Sequence, residues 1–359
     1  MPELIPTPTE GTWLFERRKG VTASEIAVIM GLSPYSSPYA LYHQKLGILP
    51  EAGDQAVFER GRVLEPYVAE KFAAAHPEFW TGGDGKTLWR HSERPWQLAT
   101  PDRLVHPLIE VHRCTCGADL QMHYGHEPRC GLELGQPVAV LETKTDAGSD
   151  EWGEPGTDEI PVHYRCQVLW QMDVMGVSRA YVSCLDPARW QIREYVIEHA
   201  EGCGPGHNLL AYPSLACQVC DDQVRMREEA RSFLFRIEVR AVPDVDWRPS
   251  TIGALKQLHP SVIDEGVFVS DQLGKRYRAA LKNSKYWEQR KKLYEAQLRE
   301  RMGSARRACL RSEDIPAGEV IARRDVYEVG ESVRKGYTVD KLMPVYPKKE
   351  KKSVSSDGA

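Results

Sequence analysis

The chain of 359 residues has no unbroken apolar run approaching ~18 residues, so no transmembrane helix is expected. Its opening, MPELIPTPTEGTW, carries neither a basic segment nor an apolar one, and no secretory signal is expected. No repeat of solenoid period is present. Neither sign of charge dominates: 47 basic and 51 acidic residues leave a net −4, which by itself leans away from a polyanionic partner. Nine cysteines form an odd set, and without an export signal they point to a reducing cytosol rather than to a disulfide framework. What remains is an ordinary globular composition, 42% hydrophobic and 27% charged. The length allows two domains, or one large domain with appendages.

Residues 1–12 are rich in Pro, Thr and Glu and read as loose. Helical patterns cover 22–30, 38–46 and 55–75, the last with Pro66 inside it as an expected kink or restart. A strand over 96–105 breaks at Pro101, and VAVLETKT at 138–145 reads as another. Between them lies a Gly/His/Cys-rich insertion, 106–137. A helix over 161–176 follows, with Gly176 at its end. Residues 178–185 and 190–197 read as a hairpin around Asp186-Pro187. This order predicts an α/β core, a mixed central sheet flanked by helices, within a domain over 13–240. An extension over 241–345 follows, with a helix at 222–240 just before it. The extension contains one long helix over 272–302 and a small hairpin at 316–329, and a polar tail at 346–359 reads as disordered.

The chemistry gathers at Asp102, Glu142 and Lys144. Glu142 and Lys144 stand two apart on a strand, so they share a face. A core does not need a carboxylate and an ammonium there. Two carboxylates suit Mg²⁺ or Mn²⁺, which take oxygen ligands. A lysine beside them can hold an attacking water or stabilise charge developing on phosphorus. The plain alternative is a surface charge pair with Asp102 in a turn, and three residues alone do not decide between these readings.

The surrounding segments do. Trp13-x3-Arg17-x2-Gly20-Val21-Thr22-Ala23-Ser24-Glu25 is followed by Gly31-x-Ser33-Pro34-Tyr35 and Lys45-x-Gly47. Gly61-Arg62-x2-Glu65 comes next, then Thr100-Pro101-Asp102-Arg103-Leu104, then Leu141-Glu142-Thr143-Lys144-Thr145. Tyr164-x2-Gln167 and Gln171-Met172 close the series. In this order the segments resemble the YqaJ-like viral recombinases, relatives of phage lambda exonuclease within the PD-(D/E)xK nucleases. The resemblance covers about residues 13–200. It implies that Asp102 and Glu142 bind metal, two ions in all, with the Thr143 carbonyl as a further ligand. It makes Lys144 the catalytic lysine, and Glu65 and Gln167 further active-site groups. It matches Arg17 and Ser24 to a pair that holds a 5′-terminal phosphate. A guanidinium binds phosphate in bidentate fashion, and a hydroxyl near a helix start adds a donor beside oriented amides.

The sequence departs from the family in one place. Asp102 and Glu142 are 40 positions apart, where the family has a short hairpin. The added stretch holds Cys114, Cys116, His126 and Cys130, with His112 and His123 as substitutes, a set able to bind structural Zn²⁺. Cys217-x2-Cys220, with Cys203 nearby, permits a second metal site whose fourth ligand cannot be placed from the pattern. Related nucleases hold an iron–sulfur cluster through flanking cysteines. Cys166 and Cys184 read as buried hydrophobes.

Residues 272–311 carry a net +10, from 13 Lys/Arg against three Glu, with Tyr277, Tyr286, Trp287 and Tyr294 interleaved. The −4 of the whole chain therefore averages a basic segment with a remainder of −14. Such a segment can follow a nucleic-acid backbone. The combined expectation is a cytoplasmic, metal-dependent DNA exonuclease acting on double-stranded ends, 5′→3′. By resemblance it would be a homotrimer that works with a single-strand annealing recombinase in recombination. The alternatives are an endonuclease or single-strand nuclease on the same core, or a non-catalytic DNA-end-binding protein.

Overall fold

In the computed structural model the described residues are 2–7, 9–50, 55–110, 132–146, 149, 151–201, 203–204, 217–281, 288–311, 319–329 and 337–344. They fall into two units, Met1–Val242 and Pro243–Ala359. The first unit runs β1 (Glu3–Ile5), α1 (Glu10–Arg18), β2 (Val21–Thr22), α2 (Ala23–Ile29), α3 (Pro38–Lys45), α4 (Gln55–Ala75), β3 (Phe79–Gly82), β4 (Leu88–Arg90) and β5 (Gln97–Ala99). It continues with β6 (Arg103–Glu110), β7 (Leu132–Leu134), β8 (Ala139–Thr145), α5 (Val162–Met175), β9 (Arg179–Asp186), β10 (Gln191–Glu198) and α6 (Gln218–Glu238).

The loose N-terminus expected over residues 1–12 is corrected here. Strand β1 pairs antiparallel with β4, in a small sheet of order β1-β4-β5-β2. Ile5 is buried with Leu88 and Leu98, so a short apolar contact overcomes the Pro-rich composition. Thr9 then caps α1 through a reciprocal pair with Thr12. Helix α4 runs unbroken through Pro66. Pro66 is exposed, so the carbonyl it leaves unbonded can be met by water.

The main sheet has the order β10-β9-β8-β6-β3, with β7 paired to β6. Strands β8 and β9 are parallel and joined by α5; the other pairings are antiparallel. This is the mixed sheet that the alternation of element types predicted. Strand β8 is covered on both faces, which explains its unbroken apolar start. Val140 faces the core shared with α2 and α5, while Ala139 and Leu141 pack under α4 with Ala69 and Phe72. Strand alternation therefore sends Glu142 and Lys144 toward α5. Trp170 of α5 is fully buried, and its indole N–H donates to the carbonyls of Leu98 at 3.1 Å and Val21 at 3.3 Å. Gly176 ends the helix in the left-handed conformation (φ 68°). The expected insertion starts later than the sequence suggested. Strand β6 continues through Glu110, and β7 pairs back on it. Cys114, Cys116, His126 and Cys130, the expected zinc set, lie outside the described residues.

The second unit contains α7 (Pro249–Leu258), β11 (Ile263–Phe268), α8 (Asp271–Leu281), α9 (Glu288–Met302), β12 (Ala305–Leu310), β13 (Glu319–Val329) and β14 (Tyr337–Pro344). Its sheet has the order β11-β12-β13-β14, with β11 and β12 parallel. Two expectations change here. The single helix over 272–302 is two helices, with 282–287 outside the described residues. Tyr277 and Ala280 of α8 share one core with Tyr294, Leu298 and Met302 of α9, so the apolar stripe folds onto a common centre. The hairpin at 316–329 is instead one long strand, β13, whose partners β12 and β14 come from either side in sequence. EVIARRDVYEV holds β-branched and aromatic residues and neither Gly nor Pro, so it stays extended. The tail expectation lies outside the described residues.

Lys45, the last residue of α3, ties the N-terminal helices together. Its side chain is only 2% exposed and its ammonium lies 2.7 Å from the Glu25 carboxylate. The same ammonium donates to the carbonyls of Arg17 and Gly20, both at 2.6 Å. Gly20 has to be glycine, since a Cβ there would stand 2.2 Å from the Trp96 carbonyl oxygen. Replacing Lys45 by Met strips the partly buried Glu25 carboxylate of its cation, leaving it the Thr22 amide, and should lower unfolding free energy by about 2–3 kcal/mol in urea denaturation. The double variant Lys45→Met/Glu25→Gln should recover part of that loss. An additive double variant would deny the coupling.

Candidate active site

The site sits where β6 and β8 meet α5. Asp102 immediately precedes β6, after the break at Pro101. One carboxylate oxygen, Oδ2, accepts from both the amide (2.7 Å) and the hydroxyl (2.8 Å) of Thr143 on β8. Among the described residues none donates to Oδ1, which leaves that oxygen for another partner. Glu142 is 2% exposed and meets three donors. The Lys144 ammonium and the Gln167 amide (2.5 Å) both point at Oε1, and the Gln171 amide donates to Oε2 at 2.7 Å. Glu65 of α4 accepts from the Arg103 guanidinium at 2.7 Å. The loop through Gly85 (φ 65°) passes so near that a Cβ would stand 3.0 Å from Glu65 Oε1.

Burial first, and then the charge of Asp102, push the Glu142 carboxyl up to about 7, against the pull of Lys144. Glu65 is raised by the same two causes, opposed by Arg103. Asp102 thus acts on both other carboxyls, and the three form one acidic cluster with charge to spare for a cation. Burial would lower the Lys144 ammonium, but Glu142 and Asp102 outweigh it and raise it above the ordinary lysine range. Lys144 is therefore a permanent cation here, a donor and not a base. It also lies over the Tyr164 ring, 4.9 Å from the centroid. Tyr164 OH meets Tyr35 OH at 3.5 Å, and burial keeps the Tyr164 phenol neutral by raising it.

Asp102 contacts Thr143, and Lys144 and Gln167 contact Glu142; the charge of Asp102 acts on Glu142, Lys144 and Glu65. Arg17 and Ser24 meet separately. Arg17 Nη2 lies 3.4 Å from both Ser24 Oγ and Thr22 Oγ1, and its guanidinium covers the Trp13 ring at 4.2 Å. Thr22 caps α2, whose first turn carries Ser24. Sequence reasoning assigned no role to Gln171. Its spacing of four from Gln167 on one helix was the available signal.

A mixed sheet with a parallel β8–α5–β9 crossover, an aspartate before the neighbouring strand and a Glu-x-Lys on β8 is the arrangement that the PD-(D/E)xK resemblance led one to expect. Residues 12–178, just under half of the chain, match the YqaJ-like viral recombinase domain. The uncharacterized protein YqaJ of Bacillus subtilis (strain 168) is 29% identical over 182 residues, 48% of this chain and 45% of the relative. The matched stretch thus spans less than half of that relative. Two crystal structures of LHK-Exo, an alkaline exonuclease from Laribacter hongkongensis, are also similar. The one in complex with dAMP has 17% identity and a TM-score of 0.39, the other 18% and 0.38; each covers 65% of this chain and 94% of that chain.

The raised Glu142 carboxyl has a consequence for stability. Its contribution favours folding below its ordinary value of 4.5 and is lost as pH rises through about 7. Glu142→Gln should therefore raise the Tm of metal-free protein more at pH 8 than at pH 5. An equal shift at both pH values would contradict the burial of an ionising group. Gln171→Leu removes a donor to the charged form and should move the Glu142 titration further up, read by carboxyl ¹³C NMR.

Proposed function

We propose that the protein is a metal-dependent DNA exonuclease that hydrolyses phosphodiesters at double-stranded ends, 5′→3′, leaving a 3′ single strand. The observation that carries this reading is the convergence of Asp102, Glu142 and Lys144 with Gln167 around one acidic cluster. The donor set fits Mg²⁺ or Mn²⁺: two carboxylates and the Thr143 carbonyl are hard oxygens, and Asp102 Oδ1 is open. A divalent cation held by them supplies Lewis-acid stabilisation and acidifies a bound water.

The remaining work belongs to the chain. Glu142 must be ionised to act, and Lys144, Gln167 and Gln171 all favour that form by donating to it. Lys144 keeps its proton and faces the reacting phosphate as a fixed positive charge, stabilising the negative charge that grows on phosphorus. Thr143 holds the Asp102 carboxylate in one orientation through two bonds, so the reacting geometry is preorganised. Arg17 and Ser24, braced by Trp13 and by the Lys45 contacts beneath them, offer a guanidinium and a hydroxyl to a 5′-phosphate. The basic segment of the second unit suits the DNA backbone. The family resemblance supports a homotrimer and an annealing recombinase as partner. No helix among the described residues is long and apolar enough to cross a membrane.

Digestion of linear duplex with 5′-phosphate or 5′-hydroxyl ends, in Mg²⁺ and in EDTA, tests the proposal. Metal-dependent loss of the phosphorylated duplex is expected, and no loss would refute a nuclease. Cutting of closed circles would make it an endonuclease. Lys144→Ala should reduce cleavage at least about 10³-fold while DNA binding persists. Arg17→Ala should erase the preference for phosphorylated ends, with hydroxyl ends cut as before.

A further inference from the structure

A second group of ligating side chains stands apart from the carboxylates. His199 directly follows β10, Cys203 lies four residues on, Cys217 caps α6, and Cys220 is in its first turn. One ligand atom from each lies within 4.8 Å of all the others. Cys220 Sγ is 3.1 Å from Cys203 Sγ and 3.3 Å from His199 Nδ1, and Cys217 Sγ is 3.7 Å from the same nitrogen. His199, Cys217 and Cys220 are buried and Cys203 is partly so. A tetrahedral Zn²⁺ with Zn–S and Zn–N bonds of usual length has ligand–ligand edges of about 3.6–3.8 Å. The four atoms are thus already spaced for one ion, and this supplies the fourth ligand that the sequence pattern alone did not locate.

We infer that His199, Cys203, Cys217 and Cys220 form a structural Zn²⁺ site that clasps the end of β10 to the start of α6. Three observations besides the spacing support it. First, the backbone presents the ligands: the His199 amide is held by the Ser178 carbonyl at 3.0 Å, and the Cys203 amide donates to the Ala200 carbonyl at 2.9 Å. Second, the Ala200 amide donates to Cys217 Sγ at 3.4 Å, the kind of N–H···S bond that supports a metal-bound thiolate. Third, Cys217 and Cys220 sit at the N-terminal end of a helix of 21 residues, whose dipole favours negative sulfur. Zinc fits a Cys3His set with no open position. A multi-iron cluster is larger and would hold its thiolates further apart.

The site explains how α6 is fixed. Further along that helix, Gln223 donates to the Leu169 carbonyl at 3.0 Å and Arg227 pairs with Asp173 at 3.0 Å. Both partners lie on α5, the helix that also carries Gln167 and Gln171. A clasp at the start of α6 thus steadies the layer behind the carboxylate site without contributing to its chemistry.

The test is zinc content after exhaustive EDTA dialysis, in the full chain and in a Cys114→Ser/Cys116→Ser background that removes the other expected set. That background should retain one equivalent of zinc, and adding Cys217→Ser/Cys220→Ser should abolish it. Because the last variant can fail to fold, Co²⁺ is also exchanged into the Cys114→Ser/Cys116→Ser protein. Tetrahedral d–d bands and a thiolate-to-cobalt charge-transfer band sized for three sulfurs are expected. Absence of both zinc and the cobalt spectrum would overturn the site. So would iron with acid-labile sulfide, or a Cys203–Cys220 disulfide found by non-reducing peptide mapping of freshly purified protein.

Discussion

Burial of one ionisable carboxyl governs the first unit. Glu142 lies on a strand covered from both sides, where an ion without partners would be untenable. The fold answers with three donors from two elements: Lys144 on its own strand and Gln167 and Gln171 from α5. That demand fixes where α5 must lie against β8. It also explains why this helix, buried over Val168–Met175, carries two glutamines one turn apart. Asp102 adds a like charge that keeps Glu142 reluctant to ionise, so the site holds unfavourable charge in reserve for a cation. Local destabilisation of this kind is what a binding centre needs and a structural pair would not.

The rest of the unit holds that centre still. Trp170 bridges β2 and β5 through its indole N–H, and Arg94, Gln97 and Arg227 satisfy the buried Asp173 on the same helix. Lys45 does the same for the N-terminal helices by using one ammonium on a carboxylate and two carbonyls. Each buried charge thus joins elements distant in sequence. Removing one partner exposes another to the interior, so these contacts specify arrangement as much as they add stability.

Much of this was legible in the linear pattern. The Glu-x-Lys spacing on an apolar strand fixed a shared face, because side chains alternate along any strand. The helix end at Gly176 followed from local capping chemistry. The misreadings came where tertiary contact overrides composition. Residues 1–12 look loose, yet Ile5 finds Leu88 and Leu98. The stretch over 272–302 keeps helical spacing almost throughout, yet Tyr277 and Tyr294 turn onto one core. The stretch over 316–329 reads as a hairpin, yet 319–329 is one strand paired to the strands that precede and follow it.

The sequence by itself determined which residues carry the chemistry and which faces they occupy, since those follow from residue type and from the period of strand and helix. It also determined the match of residues 12–178 to the YqaJ-like viral recombinase domain. Only the tertiary structure decided which groups meet. Gln171 joins Glu142, Arg17 joins Ser24, and His199 joins cysteines that follow it by up to 21 positions. Those encounters depend on how strands pair and helices cross, and no local period encodes them.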